Sequence, residues 1–178
     1  MRCRWCNLDN PLYVTYHDQE WGKLRLDDSY LFEMLLLEFF QAGLSWECIL
    51  NKRDAFREVF DSFDWKKIAT YDEDKIKMLM QDSRIVRNRL KIKASIQNAK
   101  IFQDILEEYD SFENYLRSFW NGDILYENDR TTNYLSDAIS KDLQKRGMKF
   151  VGSVIIYSYL QAIGIISSHD DSCDWRIL

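Results

Sequence analysis

The sequence predicts an all-α protein. Only one proline, Pro11, and six glycines interrupt the 178 residues. Runs of Leu, Ile, Lys and Glu fill the intervals between them, and these residue types favour helices or tolerate them well. The hydrophobic fraction of 46%, with 6 Trp, 10 Tyr and 10 Phe, is enough to bury a substantial core and makes disorder improbable. We therefore expect one helical domain over residues 1–178.

Capping residues indicate where the helices begin and glycines where they end. Asp and Ser side chains accept hydrogen bonds from the free N–H groups of a first helical turn, and glycine favours the residue after the last turn. The first predicted helix covers about residues 30–41 and follows the capping candidates Asp27, Asp28 and Ser29. The second begins at Ser45 and ends near residue 60, and two short helices follow Asp64 and Asp72. Three further helices run from Ser83 to about 108, from Ser111 to about 120, and from Ser136 to 146, just before Gly147.

Two segments depart from this pattern. Residues 121–134 are polar and predict a loop. Residues 151–163 are apolar, β-branched and aromatic, a composition that also suits a strand. Their length favours a buried helix. Nothing else in the sequence reads as sheet, so an isolated strand would have no partner.

Thiol and imidazole side chains collect at the two ends of the chain. Cys3, Cys6 and His17 lie at the front, and His169 and Cys173 lie at the back in the order H-x3-C. Zinc prefers these ligands, and a structural zinc takes four of them in a tetrahedron. A site shared by both ends would close a long loop, so a zinc clip joining the termini is the leading hypothesis. Spacing favours the first two cysteines and also allows Cys3 with His17, while a disulfide or free thiols are the alternatives.

The net charge of −5 conceals a basic segment. Residues 83–103 contain six Lys or Arg and no acidic residue, so the remainder carries −11. A second basic cluster occupies residues 141–149. Either could attract phosphate, although an ordinary solvated helix face is equally consistent. No apolar run reaches the ~20 residues of a membrane span, and few cysteines with no signal peptide predict a cytoplasmic location.

Glu38 is the only charge in the apolar segment 34–40. A helix that is apolar around its circumference is normally buried, and a buried carboxylate is costly unless it is paired. Such a group is often functional, though structural ion pairs also occur. Aromatic faces beside one carboxylate suit a flat, cationic ring, whereas an aromatic-rich core is the alternative. The aromatic candidates are Trp5, Tyr13, Tyr16, Trp21 and Trp46.

Two glycine-containing turns are candidate nucleic-acid contacts. Gly43 allows close backbone approach, and an exposed Leu44 beside it could enter a base stack as a wedge, unless this leucine belongs to the core. Gly147, Lys149 and Gly152 lie between two helices. Backbone N–H groups at the start of the second helix would face outward, as in phosphate-binding turns.

Four segments together resemble the 3-methyladenine DNA glycosylase I family. They are DNPLYVTYHDQEWG at residues 9–22, Glu38 with QAGLSW at 41–46, RIVRNR at 84–89, and KRGMKFVG at 145–152. The resemblance covers nearly the whole chain. It implies the all-helical fold of the helix-hairpin-helix glycosylase superfamily.

The resemblance also implies roles for particular residues. A structural zinc would be held by Cys3, His17, His169 and Cys173, with Cys3 preferred to Cys6 because the family cysteine lies two residues before a tryptophan. Glu38 would be the catalytic residue. It would form the base pocket with Tyr16 and Trp46, near Trp5, Tyr13 and Trp21. Gly147, Lys149 and Gly152 would hold the DNA backbone, while Gly43 and Leu44 would form the wedge.

The implied activity is base excision repair. A monomer would bind double-stranded alkylated DNA, flip the damaged nucleotide and hydrolyse the bond to 3-methyladenine. No lysine stands out as a Schiff-base nucleophile, so no strand-cleaving lyase activity is expected, and Asp170 and Asp171 are interpreted as loop residues. Two alternatives remain: a non-catalytic DNA-binding module stapled by zinc, and a zinc hydrolase with Glu38 as general base.

Overall fold

The computed structural model describes residues 1–176 and is mostly helical, which confirms the predicted class in this coarse form. Helices α3 to α5 are short, and a 3₁₀ turn (Asp61–Phe63) joins α4 to α5. The helices are α1 (Pro11–Gln19), α2 (Asp28–Gln41), α3 (Trp46–Leu50), α4 (Arg53–Val59), α5 (Trp65–Ile68), α6 (Glu73–Gln81), α7 (Arg89–Tyr109), α8 (Phe112–Arg117), α9 (Tyr134–Arg146) and α10 (Ser153–Ala162).

Helix α2 lies at the centre of the core. Its N-cap Asp27 accepts a hydrogen bond from the backbone N–H of Tyr30. Ten of its fourteen residues are buried, as the apolar sequence predicts. Helices α7 and α10 pack against it. This packing leaves Glu38, in the last turn of α2, inside the protein.

Helices α9 and α10 pack against each other on either side of a short turn. Asn133 caps α9 in a reciprocal arrangement with Ser136, and Gly147 ends the helix with φ of 103°, in the left-handed region that glycine tolerates. Gly152 precedes α10. The predicted helix over residues 151–163 is confirmed, since residues 153–162 are helical and largely buried.

A small parallel sheet corrects the expectation that nothing forms a strand. β1 (Leu125–Tyr126) pairs with β2 (Ile166–Ser167), with Leu125 opposite Ile166. The first strand interrupts the predicted loop over residues 121–134. A two-residue strand has too few residues for alternation to be visible, and its partner lies about forty residues later.

Several predicted boundaries also change. α1 was not predicted, although Asn10 caps it and Pro11 occupies its first turn, where proline is tolerated. The predicted helix over residues 46–60 is divided into α3 and α4. α7 begins after Asn88 rather than Ser83, because the Asn88 side chain accepts from the Lys91 N–H. No helix in residues 1–176 is long and apolar enough to cross a membrane.

Candidate active site

The predicted carboxylate and all five predicted aromatic residues line one cavity of about 280 Å³. They reach it from different parts of the chain. Tyr13 and Tyr16 lie on α1, Glu38 lies in the last turn of α2, and Trp46 is the first residue of α3. The structure thus brings together the six side chains that the sequence analysis grouped. The volume lies near the lower end of the range for small-molecule sites.

The aromatic rings form a wall from edge and tilted contacts. The ring centroids of Trp5 and Trp21 lie 4.7 Å apart with their planes nearly perpendicular, and Trp5 lies 5.3 Å from Tyr13. Tyr16 and Trp46 lie 5.4 Å apart. Tilted packing of this kind is favourable between aromatic quadrupoles. The wall presents electron-rich surface to the cavity.

Glu38 is buried with an unmet hydrogen-bonding capacity. Its side chain is only 3% exposed, and its Oε2 atom has no hydrogen-bond partner within residues 1–176. Burial raises the pKa of this carboxyl group from its ordinary 4.5 to about 8. The Nε1 atom of Trp46 is likewise buried without a partner. Among the buried side-chain atoms of the residues that line the cavity, within the described chain, these two have no protein partner, and they offer a ligand one oxygen and one N–H donor.

Polar side chains also line the cavity, here called the polar wall, and the sequence analysis did not predict it. Gln161 donates a hydrogen bond to Ser168 at 2.7 Å. Ser158 and Gln161 are polar residues of the otherwise apolar helix α10, one turn apart, and this spacing was a usable signal. Asp170 was interpreted as a loop residue; it lies in a loop and also faces the cavity. The polar wall consists of Gln41, Asn128, Ser158, Gln161, Ser168 and Asp170.

Four side chains from the two ends of the chain form a second buried cluster beside the cavity. One potential ligand atom from each of Cys3, His17, His169 and Cys173 lies within 4.8 Å of the others. Cys6 is buried outside this group, with its Sγ 3.9 Å from the Tyr13 carbonyl oxygen. The structure thus groups the four residues that the family resemblance implied and excludes the C-x2-C pair.

The cluster has dimensions suited to a tetrahedral zinc ion. Sulfur–nitrogen distances are 3.3 Å for Cys3 to His169, 3.4 Å for Cys173 to His169, and 3.5 Å for Cys173 to His17. Zn–S and Zn–N bonds of about 2.3 and 2.0 Å at tetrahedral angles give a sulfur–nitrogen separation of about 3.5 Å. His17 donates from Nδ1 to Asp18 at 2.8 Å, which leaves its Nε2 lone pair facing the cluster. Arg2 in turn holds Asp18 through three hydrogen bonds.

The two glycine-containing turns lie at the surface. Gly43 has φ of 82° with no atom near its Cβ direction, and Leu44 is 41% exposed, so the interpretation of this leucine as a core residue is wrong. Asn98 of α7 holds the α9–α10 turn by bonding both the N–H and the carbonyl of Lys149, at 2.8 and 3.0 Å. The Lys149 side chain is exposed.

Comparison with known proteins identifies the family. The methyladenine glycosylase family model matches residues 5–177. The chain is 42% identical over 178 residues to DNA-3-methyladenine glycosylase 1 of Escherichia coli (strain K12), covering 97% of this chain and 95% of that one. It is 38% identical to DNA-3-methyladenine glycosylase of Haemophilus influenzae (strain ATCC 51907 / DSM 11121 / KW20 / Rd), covering 97% and 96%.

This chain belongs to the methyladenine glycosylase family. The resemblance drawn from the four sequence segments is thereby confirmed.

Solved structures show the same fold over the same length. A crystal structure of 3-methyladenine DNA glycosylase I (TAG) superposes with a TM-score of 0.95 at 39% identity, covering 99% of this chain and 100% of that chain. The enzyme from Staphylococcus aureus, studied for the structural basis of 3-methyladenine recognition, gives 0.93 at 34% identity, covering 99% and 97%. The members of this methyladenine glycosylase fold thus agree in architecture from end to end.

Proposed function

We propose that this protein is a monofunctional DNA glycosylase that removes 3-methyladenine from alkylated double-stranded DNA. The observation that carries the proposal is Glu38, a buried carboxylate with an unpartnered oxygen inside an aromatic cavity. Methylation at N3 gives adenine a positive charge and makes it a good leaving group. A cationic purine matches the electron-rich rings and the unpartnered Glu38 oxygen.

The mechanism begins with base flipping. The target atom is inaccessible inside the duplex, so the nucleotide must rotate out of the stack into the cavity. Tyr16 and Trp46 would stack against the base, with Trp5, Tyr13 and Trp21 completing the wall. Glu38 would accept a hydrogen bond from the exocyclic amine and stabilise the positive charge. Binding of a cation would favour the ionised carboxylate, whose pKa is otherwise raised by burial.

Bond cleavage then needs modest assistance because the leaving group is already activated. The electron pair of the glycosidic bond passes to N9 and neutralises the base, and the sugar carbon takes over the positive charge. Water adds to that carbon and loses a proton to solvent, so that neutral 3-methyladenine and an abasic site result. Lys91, the one buried lysine among residues 1–176, donates to two backbone carbonyls rather than facing the cavity. No Schiff base, and hence no lyase step, is part of the proposal.

The surface turns would hold the duplex. Gly147, Lys149 and Gly152 form the proposed hairpin that contacts the DNA backbone. Phosphate would accept hydrogen bonds from the backbone N–H groups at the start of α10, which has no side-chain cap. Leu44, with Gly43, would fill the gap left by the flipped base. The protein would act as a monomer, as one helical domain of the helix-hairpin-helix type.

The four-residue cluster would hold a structural zinc ion. Cys3, His17, His169 and Cys173 supply two thiolates and two imidazoles at suitable distances. The ion would cross-link the two ends of the chain and, with four protein ligands, would have no open position for water. Glu38 is not a member of the cluster. This geometry favours the glycosylase over a zinc hydrolase that uses Glu38 as general base.

The test is release of 3-methyladenine from methylated duplex DNA. We expect the wild-type chain to release the base and Glu38→Gln to lose at least about 100-fold in rate, because the carboxylate stabilises the cationic base. Glu107→Gln makes the same change at an exposed position and should retain full activity. Binding to methylated duplex without release by the wild type would instead establish the non-catalytic DNA-binding module.

A further inference from the structure

Lys91 is buried although the sequence places it in the basic segment over residues 83–103. Its side chain is in the first turn of α7, and the residue is only 5% exposed. Burial lowers the pKa of its ammonium group, and no acidic group opposes this effect. It therefore cannot contribute to a phosphate-binding surface as its exposed neighbours Arg87, Arg89 and Lys93 can.

The ammonium group of Lys91 instead caps the end of α2. Its Nζ donates to the carbonyl oxygen of Phe40 at 2.8 Å and to that of Ala42 at 2.6 Å. The last carbonyls of a helix have no partner within the helix, and the negative end of the helix dipole attracts a cation. A long-range contact from another helix thus holds the backbone on both sides of Gln41.

Two parts of the proposed machinery depend on this stretch of backbone. On the helix side, Glu38 and Gln41 occupy the last turn of α2 and line the cavity. On the other side, Ala42 leads directly into Gly43 and the exposed Leu44. Within the turn itself, the Ala42 N–H donates to the Phe39 carbonyl at 3.3 Å and the Leu44 N–H donates to the Gln41 carbonyl at 2.6 Å. Gly43, with its positive φ, would otherwise allow several orientations.

We propose that Lys91 is a positioning residue for base flipping, which fixes the turn of Leu44 relative to the cavity so that wedge insertion and base capture occur together. The inference rests on the proposed function. A methionine would fill the same space without charge, and such a replacement of a buried ion is often tolerated by the fold. Control of the turn gives this buried lysine, which does not line the cavity, a role in the proposed reaction.

The test is a double-mutant cycle between Lys91→Met and Leu44→Ala. Both variants act on the same step, so each should slow single-turnover excision from methylated duplex by about tenfold, and the double variant should be little slower than either alone. Excision from the same oligonucleotide as a single strand should change less than about twofold, because no stack remains to be wedged. Binding of free 3-methyladenine, followed by tryptophan fluorescence, should also be retained.

A matched control and a second variant complete the design. Lys77→Met removes an exposed lysine on α6 and should leave every readout unchanged. Lys91→Gln supplies an uncharged N–H donor in place of the ammonium group and should give an intermediate rate. If the methionine variant does not fold, the double-mutant cycle is measured with this glutamine variant instead.

Three results would overturn the positioning role. They are rate losses that multiply in the double variant, an unchanged Lys91→Met rate, or equal losses on duplex, single strand and free base, which indicate general destabilisation. Failure of the wild type to release any base would refute the proposed function instead, so the two failures are distinguishable.

Discussion

The aromatic cavity and the Cys/His cluster are adjacent sites, and neighbouring residues of helix α1 contribute to both. Tyr16 lines the cavity, whereas the next residue, His17, belongs to the cluster. Trp21 joins the two sites, since its ring lines the cavity and lies 4.7 Å from the His169 ring in an edge contact. Each site therefore supports the other's position.

The difference lies in where the polar atoms find partners. In the cluster they converge on one another, and Asp18 and Arg2 buttress His17 from behind. In the cavity Glu38 Oε2 and Trp46 Nε1 have none within the described chain. Buried polar atoms without partners destabilise a fold, so their presence in a cavity indicates a ligand that binds and leaves, while convergent metal ligands suit a permanently bound ion.

Disrupting the Cys/His cluster should have the largest effect, because loss of the ion should unfold the region that forms both the cluster and the cavity. Cys173→Ser should abolish stoichiometric zinc binding and lower the free energy of unfolding by more than about 5 kcal/mol. The reason is that the free energy of binding a structural metal adds to the stability of the folded state. Metal analysis and chemical denaturation measure the two effects. Cys6→Ser, at a buried thiol outside the cluster, should keep its zinc. Equal stability of the Cys173 variant and the wild type would contradict a structural ion.

For the cavity we predict the opposite effect. Replacing the ionisable Glu38 with a neutral side chain should raise the free energy of unfolding. The folded-state pKa of Glu38 is about 8 and its ordinary value is 4.5, so between these pH values the folded protein binds more protons than the unfolded chain. Stability due to this group therefore falls as pH rises from about 4.5 to 8. Glu38→Gln should be more stable than wild type by on the order of 4 kcal/mol above pH 8, and equal to it near pH 4.

A second glutamate of the same helix provides the control. Glu33 pairs with Arg53 at 2.6 Å and with Arg57 at 2.8 Å. Glu33→Gln should therefore destabilise the protein at neutral pH, because the buried Arg53 loses part of its compensation. Denaturation curves across this pH range measure both variants. If both substitutions shift stability in the same direction, the contrast between a paired and an unpaired carboxylate is wrong.

The smallest expected effect concerns the support behind the cluster. Asp18→Asn keeps the shape but weakens the bond that orients His17, so zinc affinity should fall by about 10- to 100-fold. Competition with a chromophoric chelator measures the affinity. Asp9→Asn, an exposed change in the same segment, should have no effect. An unaltered affinity in the Asp18 variant would mean that the cavity-side packing of Trp5 and Trp21 orients His17 instead.

The sequence was most informative where composition is locally unusual. Glu38 was visible as one charge in an apolar helix, and the terminal Cys and His residues as a set of soft ligands. Helix starts were less certain because several capping residues lie close together. Asn88 and Asn133 cap α7 and α9, where Ser83 and Ser136 were predicted, and local geometry alone decides between such neighbours.

Features that depend on long-range contacts were not predictable. A count of charges along the chain placed Lys91 on a basic surface, because burial against the end of α2 is set by tertiary packing. The polar wall of the cavity combines residues from α2, the loop around Asn128, and the chain from Ser158 to Asp170, which no local pattern connects. Family resemblance, rather than spacing, was needed to choose Cys3 over Cys6.

The central claim is that Glu38 remains an unpaired, neutral carboxyl group until a cationic base arrives. Its titration by ¹³C NMR of the side-chain carboxyl, with Glu38→Gln as the assignment control, tests this most directly. We predict a pKa near 8 in the free protein and a clear fall when a permanently cationic analogue of the methylated nucleobase, 3,9-dimethyladeninium, is bound, because burial raises the pKa and a positive charge lowers it. A pKa near 4.5 in the free protein, unchanged by the base, would contradict the account.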